Sequence, residues 1–439
     1  MYPMSKNLST DPYKGVRDFY PEDMAIQNQI FGIWRSVAEK YGYQEYNASV
    51  LEPAELYRAK TGEEILERQS YLFIDRGERE VMLRPEMTPT VARMVAGRKR
   101  ELVYPLRWFS MQNFFRYEQP QKGRLREFWQ LNVDIFGVDS IQAEIEVIAM
   151  AYEITKGYGL KDTDFEIRIN NRKILKYITE DIFGLDFPTS QKLLKLIDQK
   201  RKIPTDVFMA TAETILSDTS GGKNVATFTT LMNSQNFEEF TTHLNQTKEE
   251  HEGLREIREI LAGLEKLGIT NAKFDQTITR GMDYYTGIIF EVFDKNPENR
   301  RSAFGGGRYD DLLSLFGGDK VSAFGFGAGD VIARDLMETY GSLKKVEDTY
   351  PAQVYICLFN KEVADYGQEV AQALRQKGIK TSLDYSFRKI GDQIKNADKM
   401  HIPYVVCIGE DEVKTGNLKL KNLKTGDEKV YTIENITLN

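Results

Sequence analysis

The sequence is poor in the residues on which several common chemistries depend. It has only two cysteines, Cys357 and Cys407, and each lies in an apolar run typical of a strand. This usage favours two buried thiols in a reducing compartment over a disulfide framework. The three histidines, His243, His251 and His401, lie far from the segments that carry other chemical signals. The sequence therefore argues against a histidine-based catalytic triad and against a zinc site of histidine and cysteine.

Long apolar runs and an excess of positive charge are also missing. No run approaches the roughly 18 to 20 apolar residues that a membrane-spanning helix requires. The amino-terminal stretch MYPMSKNLSTDPYKG has no apolar centre, so it does not look like a secretory signal. A net charge of −7 gives no overall positive field that would attract nucleic acid. We therefore expect a cytoplasmic protein without membrane spans, in which any binding of nucleic acid depends on local basic patches.

Hydrophobic periodicity predicts an α/β domain in the first part of the chain. In chain order, the predicted elements are a helix over 22–41, a strand-like run that ends at Pro53, a hairpin over 69–84, a helix from Thr88, strands over 104–117 and 125–138, a helix over 140–160 and a strand over 163–170. Residues 171–268 then change to a mainly helical pattern rich in lysine and glutamate, which we interpret as an insertion. Strand patterns return over 273–280 and 286–293.

The last part of the chain predicts a separate small domain. A linker-like stretch over 340–352 precedes it. Residues 352–439 then follow the order strand, helix, strand, helix, strand, and a hairpin completes them. This order predicts an α/β domain with a mixed sheet.

The stretch from Arg280 to Asp310 carries the strongest chemical signal. It reads RGMDYYTGIIFEVFDKNPENRRSAFGGGRYD. An arginine, paired tyrosines and a glycine cluster around two strands indicate an anion, an aromatic-lined pocket and close approach of the backbone to a ligand. Considered alone, Tyr284 and Tyr285 would be predicted to be aromatic residues of the hydrophobic core. The neighbouring Arg280 favours the prediction that they line a ligand pocket.

A second signal lies in residues 115–137, FRYEQPQKGRLREFWQLNVDIFG. With strand alternation, Arg116 and Glu118 share one face, and the return strand presents a matching polar set. That set comprises Arg126, Phe128, Gln130, Asn132 and Asp134, and the intervening loop carries Lys122 and Arg124. Arginine suits phosphate and Phe128 suits a base, so the surface fits a polyanion beside a flat ring. The alternative is an ordinary solvated face, although six polar residues in period on two strands argue against it.

Two glycine-rich runs need separate interpretations. Residues 325–330 lack the full pattern of a dinucleotide-binding turn, so glycines that permit close packing or ligand approach are the better interpretation. The run at 305–308 lacks the lysine and hydroxyl residue of a phosphate loop.

Taken together, these motifs resemble the histidyl-tRNA synthetase family, which belongs to the class II aminoacyl-tRNA synthetases, along almost the whole chain. KGVRDFYPED resembles the opening of that family, and the helix 22–41 with the run ending at Pro53 resembles motif 1. FRYEQPQKGRLREF resembles motif 2, LRPEMTPTVAR the amino-acid-binding loop, and RGMDYYTGIIFE with GGGRYD the two signatures particular to histidyl enzymes.

The resemblance implies an α+β fold. It comprises a class II catalytic core built on an antiparallel sheet, a helical insertion and a carboxy-terminal α/β anticodon-binding domain. By position, the core covers 1–170 and 269–345, the insertion 171–268 and the anticodon-binding domain 350–439. The implied activity is ATP-dependent ligation of histidine to histidine tRNA through a histidyl-adenylate, by a homodimer.

The resemblance also implies roles for individual residues. Histidine would contact Glu86, Thr88, Arg116, Gln130, Asp134, Arg280, Tyr284, Tyr285 and Tyr309. ATP would contact Arg116, Glu118, Arg124 and Phe128, and the acceptor end of tRNA would approach Gln119 and Gln121. Arg116 and Arg280 would stabilise charge at the reacting phosphate, and no protein nucleophile is required. Mg²⁺ is expected with ATP, its ligands are not predicted, and no tightly bound organic cofactor is expected.

One segment departs from the family pattern. Motif 3 of the family ends in a Glu-Arg pair whose arginine contacts ATP, and Val331 and Ile332 occupy those positions here. Arg334 comes two residues later, which on a helix is a rotation of about 200°. The departure leaves a competing interpretation, a non-catalytic paralogue such as the histidine-sensing regulatory subunit of ATP phosphoribosyltransferase. The presence of motif 2 and of the carboxy-terminal domain argues against it.

Overall fold

A computed structural model describes most of the chain. The described residues are 8–58, 69–121, 123–216, 222–244, 250–279, 284–299, 302–317, 319–343 and 351–438. Two residues named above, Lys122 and Arg280, lie outside them. The chain forms two compact units, residues 1–343 and 344–439, which are described separately.

The strands, in chain order, are β1 Gln44–Glu45, β2 Leu51–Pro53, β3 Tyr71–Ile74, β4 Glu80–Leu83, β5 Leu106–Phe115, β6 Glu127–Phe136, β7 Phe165–Asn171, β8 Ala272–Phe274, β9 Ile288–Asp294, β10 Ser302–Arg308, β11 Ala323–Gly329, β12 Val354–Leu358, β13 Thr381–Leu383, β14 Tyr404–Ile408, β15 Leu418–Asn422 and β16 Glu428–Tyr431.

The α-helices are Pro21–Lys40, Ala54–Arg58, Thr88–Gly97, Gln142–Gly157, Arg172–Lys176, Phe187–Gln199, Thr205–Leu216, Lys223–Asn233, Phe237–Leu244, Glu252–Lys266, Asp330–Thr339, Ala364–Gln376, Ile390–Lys399 and Glu410–Thr415. A π-helix covers Tyr177–Ile182, and a 3₁₀-helix covers Leu313–Phe316. Among the described residues, no helix combines the length and the apolarity needed to cross a membrane.

The first unit is built on an eight-stranded sheet in the order β1-β5-β6-β11-β10-β9-β7-β8. The five pairings from β5 to β7 are antiparallel, and the two outer pairings are parallel. One face carries buried apolar residues such as Val133 and Phe326, which pack with helices Pro21–Lys40 and Gln142–Gly157. Trp34 Nε1 donates to the Tyr158 hydroxyl at 2.5 Å beneath this face. The opposite face is therefore left for other contacts.

Most elements predicted from periodicity are confirmed, but the strand-like run before Pro53 is wrong as a single strand. It contains β1 and β2, which belong to different sheets. Between them, the carbonyls of Ala48 and Ser49 accept hydrogen bonds from the buried guanidinium of Arg84, at 2.8 and 3.3 Å. Because a side chain takes these carbonyls, the backbone leaves the ladder at this point.

The prediction that the strand extends through Glu118 is also wrong, although the Arg116 N–H still donates to the Arg126 carbonyl at 2.9 Å. β5 ends at Phe115, and the Tyr117 N–H then donates to the Gln69 carbonyl at 2.7 Å. The Glu118 N–H donates back to the Arg116 carbonyl at 2.7 Å, which closes a tight turn. The pairing of the two strands therefore ends at Arg116, and the loop between β5 and β6 positions Glu118.

Helices cover most of the described part of residues 172–266, as the pattern predicted. Their apolar residues are continuous with the core beneath β7 and β9. Polar contacts also connect them to the end of the β8 segment. Thr279 Oγ1 donates to the Leu194 carbonyl at 3.2 Å, and Gln276 Nε2 donates to the Ser234 carbonyl at 3.0 Å. The helices therefore hold the chain immediately before residue 280.

The second unit has a five-stranded mixed sheet in the order β13-β12-β14-β15-β16. The first three strands are parallel, and β15 and β16 form an antiparallel hairpin. Cys357 and Cys407 are register neighbours on β12 and β14, and both thiols are free. Cys357 is buried, as the sequence predicts, whereas Cys407 is only half-buried.

Candidate active site

The face of the large sheet opposite the helices Pro21–Lys40 and Gln142–Gly157 contains a row of glycines, here called the glycine lane, and the helix Thr88–Gly97 packs on another part of this face. Residues 305 and 307 of β10 and 325, 327 and 329 of β11 alternate toward this face, and all five are glycines. A Cβ on Gly325 would lie 2.2 Å from Asp134 Oδ1, and one on Gly327 would lie 1.7 Å from Gln130 Nε2. Glycine is required at 325 and 327 because the polar side chains of β6 extend over β11, and at 305 because a Cβ would lie 2.3 Å from the Phe290 carbonyl oxygen. We call the surface around these glycines the cleft.

One end of the cleft contains a buried carboxylic acid, Asp134. The Tyr309 hydroxyl donates to Asp134 Oδ1 at 2.5 Å. Burial raises the pKa of Asp134 from 3.8 to about 7, and the hydrogen bond from Tyr309 opposes this shift. Asp134 therefore changes charge near neutral pH, where the imidazole ring of histidine also titrates.

A second buried carboxylic acid, Glu86, lies on the same side. The Tyr284 hydroxyl donates to Glu86 Oε2 at 3.0 Å. The Tyr284 ring contacts the rings of Tyr285 and Tyr309, with centroids 5.0 and 5.8 Å apart. Burial raises the pKa of Tyr284 well above its usual range, so its hydroxyl stays a donor. Tyr284 is buried in the core and Tyr285 is partly buried against it, so the core interpretation is confirmed, and the pocket interpretation stays a prediction.

Two residues that sequence reasoning did not assign hold the Glu86 loop. The Tyr57 hydroxyl donates to the Glu86 carbonyl at 3.2 Å and pairs with Thr90 Oγ1 at 2.8 Å. Arg84, which is fully buried, donates to the Asn113 carbonyl at 3.0 Å as well as to the Ala48 and Ser49 carbonyls. Arg84 stands within the quoted motif LRPEMTP, but its function as an anchor depends on carbonyls from distant segments.

Thr88 is the first residue of the helix Thr88–Gly97, so its position follows from that of Glu86. Its side chain is half-buried beside Tyr284. Glu86, Thr88, Asp134, Tyr284, Tyr285 and Tyr309 thus come together in the structure.

The other end of the cleft contains Arg116 and Phe128. The Arg116 guanidinium carbon lies 5.4 Å from the centre of the Phe128 ring, and its Nε donates to the Pro85 carbonyl at 3.0 Å. Phe128 packs against Phe114 with centroids 5.9 Å apart. Because Pro85 precedes Glu86, Arg116 links the two ends of the cleft.

The loop beyond Arg116 is exposed and closes on itself. Arg124 Nη1 pairs with Glu118 Oε2 at 3.0 Å. The backbones of Gln121 and Arg124 exchange hydrogen bonds of 3.0 and 2.9 Å, and the side chains of Gln119 and Gln121 are exposed. A ligand that uses Glu118 or Arg124 must therefore compete with their mutual ion pair.

Arg126 does not join the polar surface that the alternation predicted. Its guanidinium lies 3.9 Å from the centre of the Tyr117 ring and donates to the Tyr13 hydroxyl at 3.0 Å. The backbone N–H of Arg126 donates to the Gly15 carbonyl at 2.7 Å. Arg126 therefore holds the opening segment of the chain against the loop.

The helix Asp330–Thr339 begins at the end of the glycine lane. Arg334 faces away from the cleft, because it pairs with Asp23 at 3.1 Å and with Glu338 at 2.9 Å. The fully buried Asp330 accepts from the Trp129 N–H at 2.9 Å and from Arg17 Nη2 at 2.6 Å. Arg17 lies within the quoted segment KGVRDFYPED, but it was not predicted as a site residue because no local sequence pattern places it beside residue 330.

The described residues include neither Arg280 nor a group of residues suited to hold a metal ion. Arg280 lies outside the described residues, which end at Thr279 and resume at Tyr284. Within the described ranges, no group of three or more histidine, cysteine, aspartate or glutamate residues could hold a metal ion.

Comparisons with known proteins match both units. A family model described as histidyl-tRNA synthetase matches residues 15–329, and one described as anticodon binding domain matches residues 353–437. The histidine–tRNA ligase of Leptospira biflexa is 40% identical over 431 residues, covering 97% of this chain and 96% of the relative. That of Haloarcula marismortui is 36% identical over 426 residues, covering 95% of this chain and 94% of the relative.

Solved structures show the same fold. A histidyl-tRNA synthetase from Nostoc sp. PCC 7120 superposes with a TM-score of 0.79 at 24% identity and covers 98% of both chains. A protein from Bacillus halodurans, titled an ATP phosphoribosyltransferase regulatory subunit/histidyl-tRNA synthetase, gives a TM-score of 0.75 at 26% identity. It covers 89% of this chain and 97% of its own.

Proposed function

The chain belongs to the histidyl-tRNA synthetase family, and from this premise we propose how its cleft activates histidine and charges tRNA. The reaction is ATP-dependent ligation of L-histidine to histidine tRNA through a histidyl-adenylate. The observation that carries the proposal is the pair of buried carboxyl groups, Asp134 and Glu86, each holding a tyrosine hydroxyl at one end of the cleft.

We assign the buried end to histidine. Glu86 and Thr88 accept hydrogen bonds from its α-ammonium group, because a cation in a buried site needs a carboxylate. Asp134 and Gln130 receive the imidazole, whose N–H needs an acceptor. The rings of Tyr284, Tyr285 and Tyr309 enclose it. A site of this kind rejects amino acids without a matching N–H group, because its buried acceptors would be left unpaired.

We assign the arginine-rich end to ATP. Phe128 stacks on adenine, Glu118 accepts from the adenine amino group and Arg116 binds the α-phosphate. Arg124 binds the distal phosphates after it leaves Glu118. ATP enters as its Mg²⁺ complex, and the bound Mg²⁺ neutralises phosphate charge.

The chemistry then requires positioning and positive charge. A carboxylate oxygen of histidine attacks the α-phosphorus, the bond to the bridging oxygen of the β-phosphate breaks, and pyrophosphate leaves. Arg116 and Arg280 stabilise the added negative charge. A terminal ribose hydroxyl of tRNA next attacks the histidyl carbonyl, AMP leaves, and Gln119 and Gln121 guide the acceptor end.

Arg17 is our candidate for the cation that motif 3 lacks. It lies at the amino end of the helix Asp330–Thr339, against Asp330, and its buried Nε makes no hydrogen bond among the described residues. We expect Arg17→Ala to raise the KM for ATP about 10-fold, as loss of a charged hydrogen bond does. Arg334→Ala is the matched control, since Arg334 pairs with Asp23 and Glu338 on the other side of this helix. Equal effects of the two substitutions would remove this assignment.

We also propose a homodimer, supported by an apolar face of the small sheet β2-β4-β3. Leu51, Tyr71 and Leu83 are register neighbours on this face, as are Phe73 and Val81, and Leu51 and Phe73 are about half exposed. Exposed apolar sheet faces mark association sites. Phe73→Asp should produce a monomer in light scattering, whereas Ile74→Asp on the opposite face should not. A dimer that survives Phe73→Asp would place the interface elsewhere.

The two free thiols support a cytoplasmic location.

The competing function, a histidine-sensing regulatory subunit, has less support. The two ligases named above match nearly the full chain at 36 and 40% identity. The deciding experiment is histidine-dependent ATP–pyrophosphate exchange with purified, folded protein and Mg²⁺, followed by charging of histidine tRNA. Histidine binding without exchange would favour the regulatory subunit and overturn our proposal.

A further inference from the structure

A buried ion pair lies on the face of the large sheet opposite the cleft. Arg308 ends β10 directly after Gly307, so strand alternation turns its side chain away from the glycine lane. Its Nη2 donates to Glu144 Oε2 at 2.7 Å, and its Nε donates to Glu144 Oε1. Both side chains are buried. Because the contact is bidentate, it fixes the direction of the guanidinium as well as its position.

The guanidinium also holds the segment that follows β10. Arg308 Nη1 donates to Asp310 Oδ1 and to the Val138 carbonyl, both at 3.2 Å. Tyr309 lies between Arg308 and Asp310 in the chain, and its hydroxyl donates to Asp134. The contacts of Arg308 therefore set the position from which Tyr309 reaches Asp134.

The same contacts extend to the segment that carries the paired tyrosines. Thr286 directly follows Tyr285, and its Oγ1 donates to Asp310 Oδ2 at 3.1 Å. The Thr286 N–H donates to the Arg308 carbonyl at 2.7 Å. A Cβ on Gly287 would lie 3.1 Å from Arg308 Cδ, so this segment packs directly on the stem of the arginine. Arg308 thus connects the two tyrosine-bearing segments of the cleft.

The ion pair of Arg308 and Glu144 supplies direction more than stability. Desolvation of two buried charges offsets much of their attraction, so apolar side chains in their place often leave a protein equally stable. Apolar contacts have no preferred direction, whereas bidentate hydrogen bonds have one. Direction matters at a reactive site, because a displacement of about 1 Å can lower a rate about 100-fold.

Under the proposed function, on which this inference rests, the tyrosines held in this way enclose histidine. We propose that Arg308 and Glu144 are positioning residues for histidine binding, which set the spacing between the segments of Tyr285 and Tyr309. Neither residue contacts histidine or ATP, and both act through the tyrosines.

The first test is Arg308→Lys, which keeps the positive charge and loses the bidentate contact. The KM for histidine should rise about 10- to 100-fold, because small displacements of positioned groups have effects of this size. Calorimetry without ATP should show a matching loss of histidine affinity, and the KM for ATP should change little. A purely structural role would instead change both KM values in parallel with the unfolding temperature.

The second test replaces the ion pair by apolar side chains in Glu144→Leu/Arg308→Met, so that no unpaired charge stays buried. This variant should unfold near the wild-type temperature and still bind histidine weakly. Arg107→Lys is the matched control, because Arg107 makes the same bidentate contact with Glu146 of the same helix, at 2.8 and 2.9 Å. The control should leave both KM values unchanged.

A selective rise in the KM for histidine in the two variants supports the positioning role, and the apolar variant decides alone if Arg308→Lys does not fold. Wild-type histidine affinity in either folded variant overturns the role, as does an equal effect of Arg107→Lys. Loss of the folded state in both variants also overturns it, because the pair would then serve stability. Failure of the wild-type protein to support histidine-dependent exchange would instead refute the proposed function.

Discussion

The two ends of the cleft differ in how their charges are held. At the histidine end, Asp134 and Glu86 are buried, and each already accepts from a tyrosine. At the nucleotide end, Arg124 is 47% exposed and pairs with Glu118. Under the proposed assignment, fixed and desolvated acceptors bind the small substrate. Groups that water screens and that can rearrange then bind the highly charged substrate.

The largest expected effect comes from Arg280, which we place where the two substrates meet. Arg280→Ala should lower the rate of exchange about 100- to 1000-fold, as loss of a positioned charge at a reacting centre does. Histidine affinity, measured by calorimetry, should stay within a few-fold of wild type because Glu86 and Asp134 remain. Exchange at the wild-type rate would show that Arg280 does not stabilise the transition state.

The second largest effect is expected from a substitution of Glu86, at the buried end of the cleft. Glu86→Gln keeps the shape of the side chain and removes its charge, so the KM for histidine should rise about 100-fold, as for loss of a buried charged partner. The KM for ATP should change little. Thermal unfolding of the variant checks that the fold survives. Equal changes in both KM values would contradict the division of the cleft into two ends.

A smaller effect is expected from pH. Because the pKa of Asp134 is raised to about 7, its carboxyl is protonated in mild acid and loses one acceptor for the imidazole N–H. The value of kcat/KM for histidine should fall as pH decreases from about 8 to 6, by at most about 10-fold per unit. Asp134→Asn should remove the part of this dependence that exceeds the titration of histidine itself. An identical profile in both proteins would exclude Asp134 as its origin.

The same raised pKa has a consequence for stability. In the unfolded chain the carboxyl returns to its ordinary pKa, so between that value and about 7 the folded protein holds a proton that the unfolded chain releases. The stabilisation is fully present in acid and is lost as pH rises through the folded pKa. Urea unfolding at several pH values should show this trend in the wild type, beyond that in Asp134→Asn. A parallel trend in both would assign it to other groups.

The smallest effect belongs to the exposed ion pair. Arg124→Ala should raise the KM for ATP only about 2- to 5-fold, because screened surface pairs contribute little. The effect should shrink further as salt increases. Unfolding by urea should be nearly unchanged. A loss as large as that of Glu86→Gln would show that this end is as rigidly organised as the other.

Local patterns predicted a good part of this molecule. The period-two alternation placed Gln130 and Asp134 on one face of β6, where they lie against Gly327 and Gly325, because side-chain direction in a strand depends only on neighbouring residues. The same reasoning failed for Glu118. Beyond Arg116, hydrogen bonds to Gln69 and within a turn replace the ladder, and hydrophobic periodicity does not predict such bonds.

The sequence by itself determined the order of elements, the two-part organisation and the residue types of the site, because propensities, alternation and motifs are local. Only the tertiary structure decided which groups meet. Tyr309 reaches Asp134 across 175 positions, Tyr284 reaches Glu86 across 198, and Arg17 reaches Asp330 across 313. These contacts, and the pKa that burial imposes on Asp134, depend on strand order and desolvation. Both arise only when distant segments pack together.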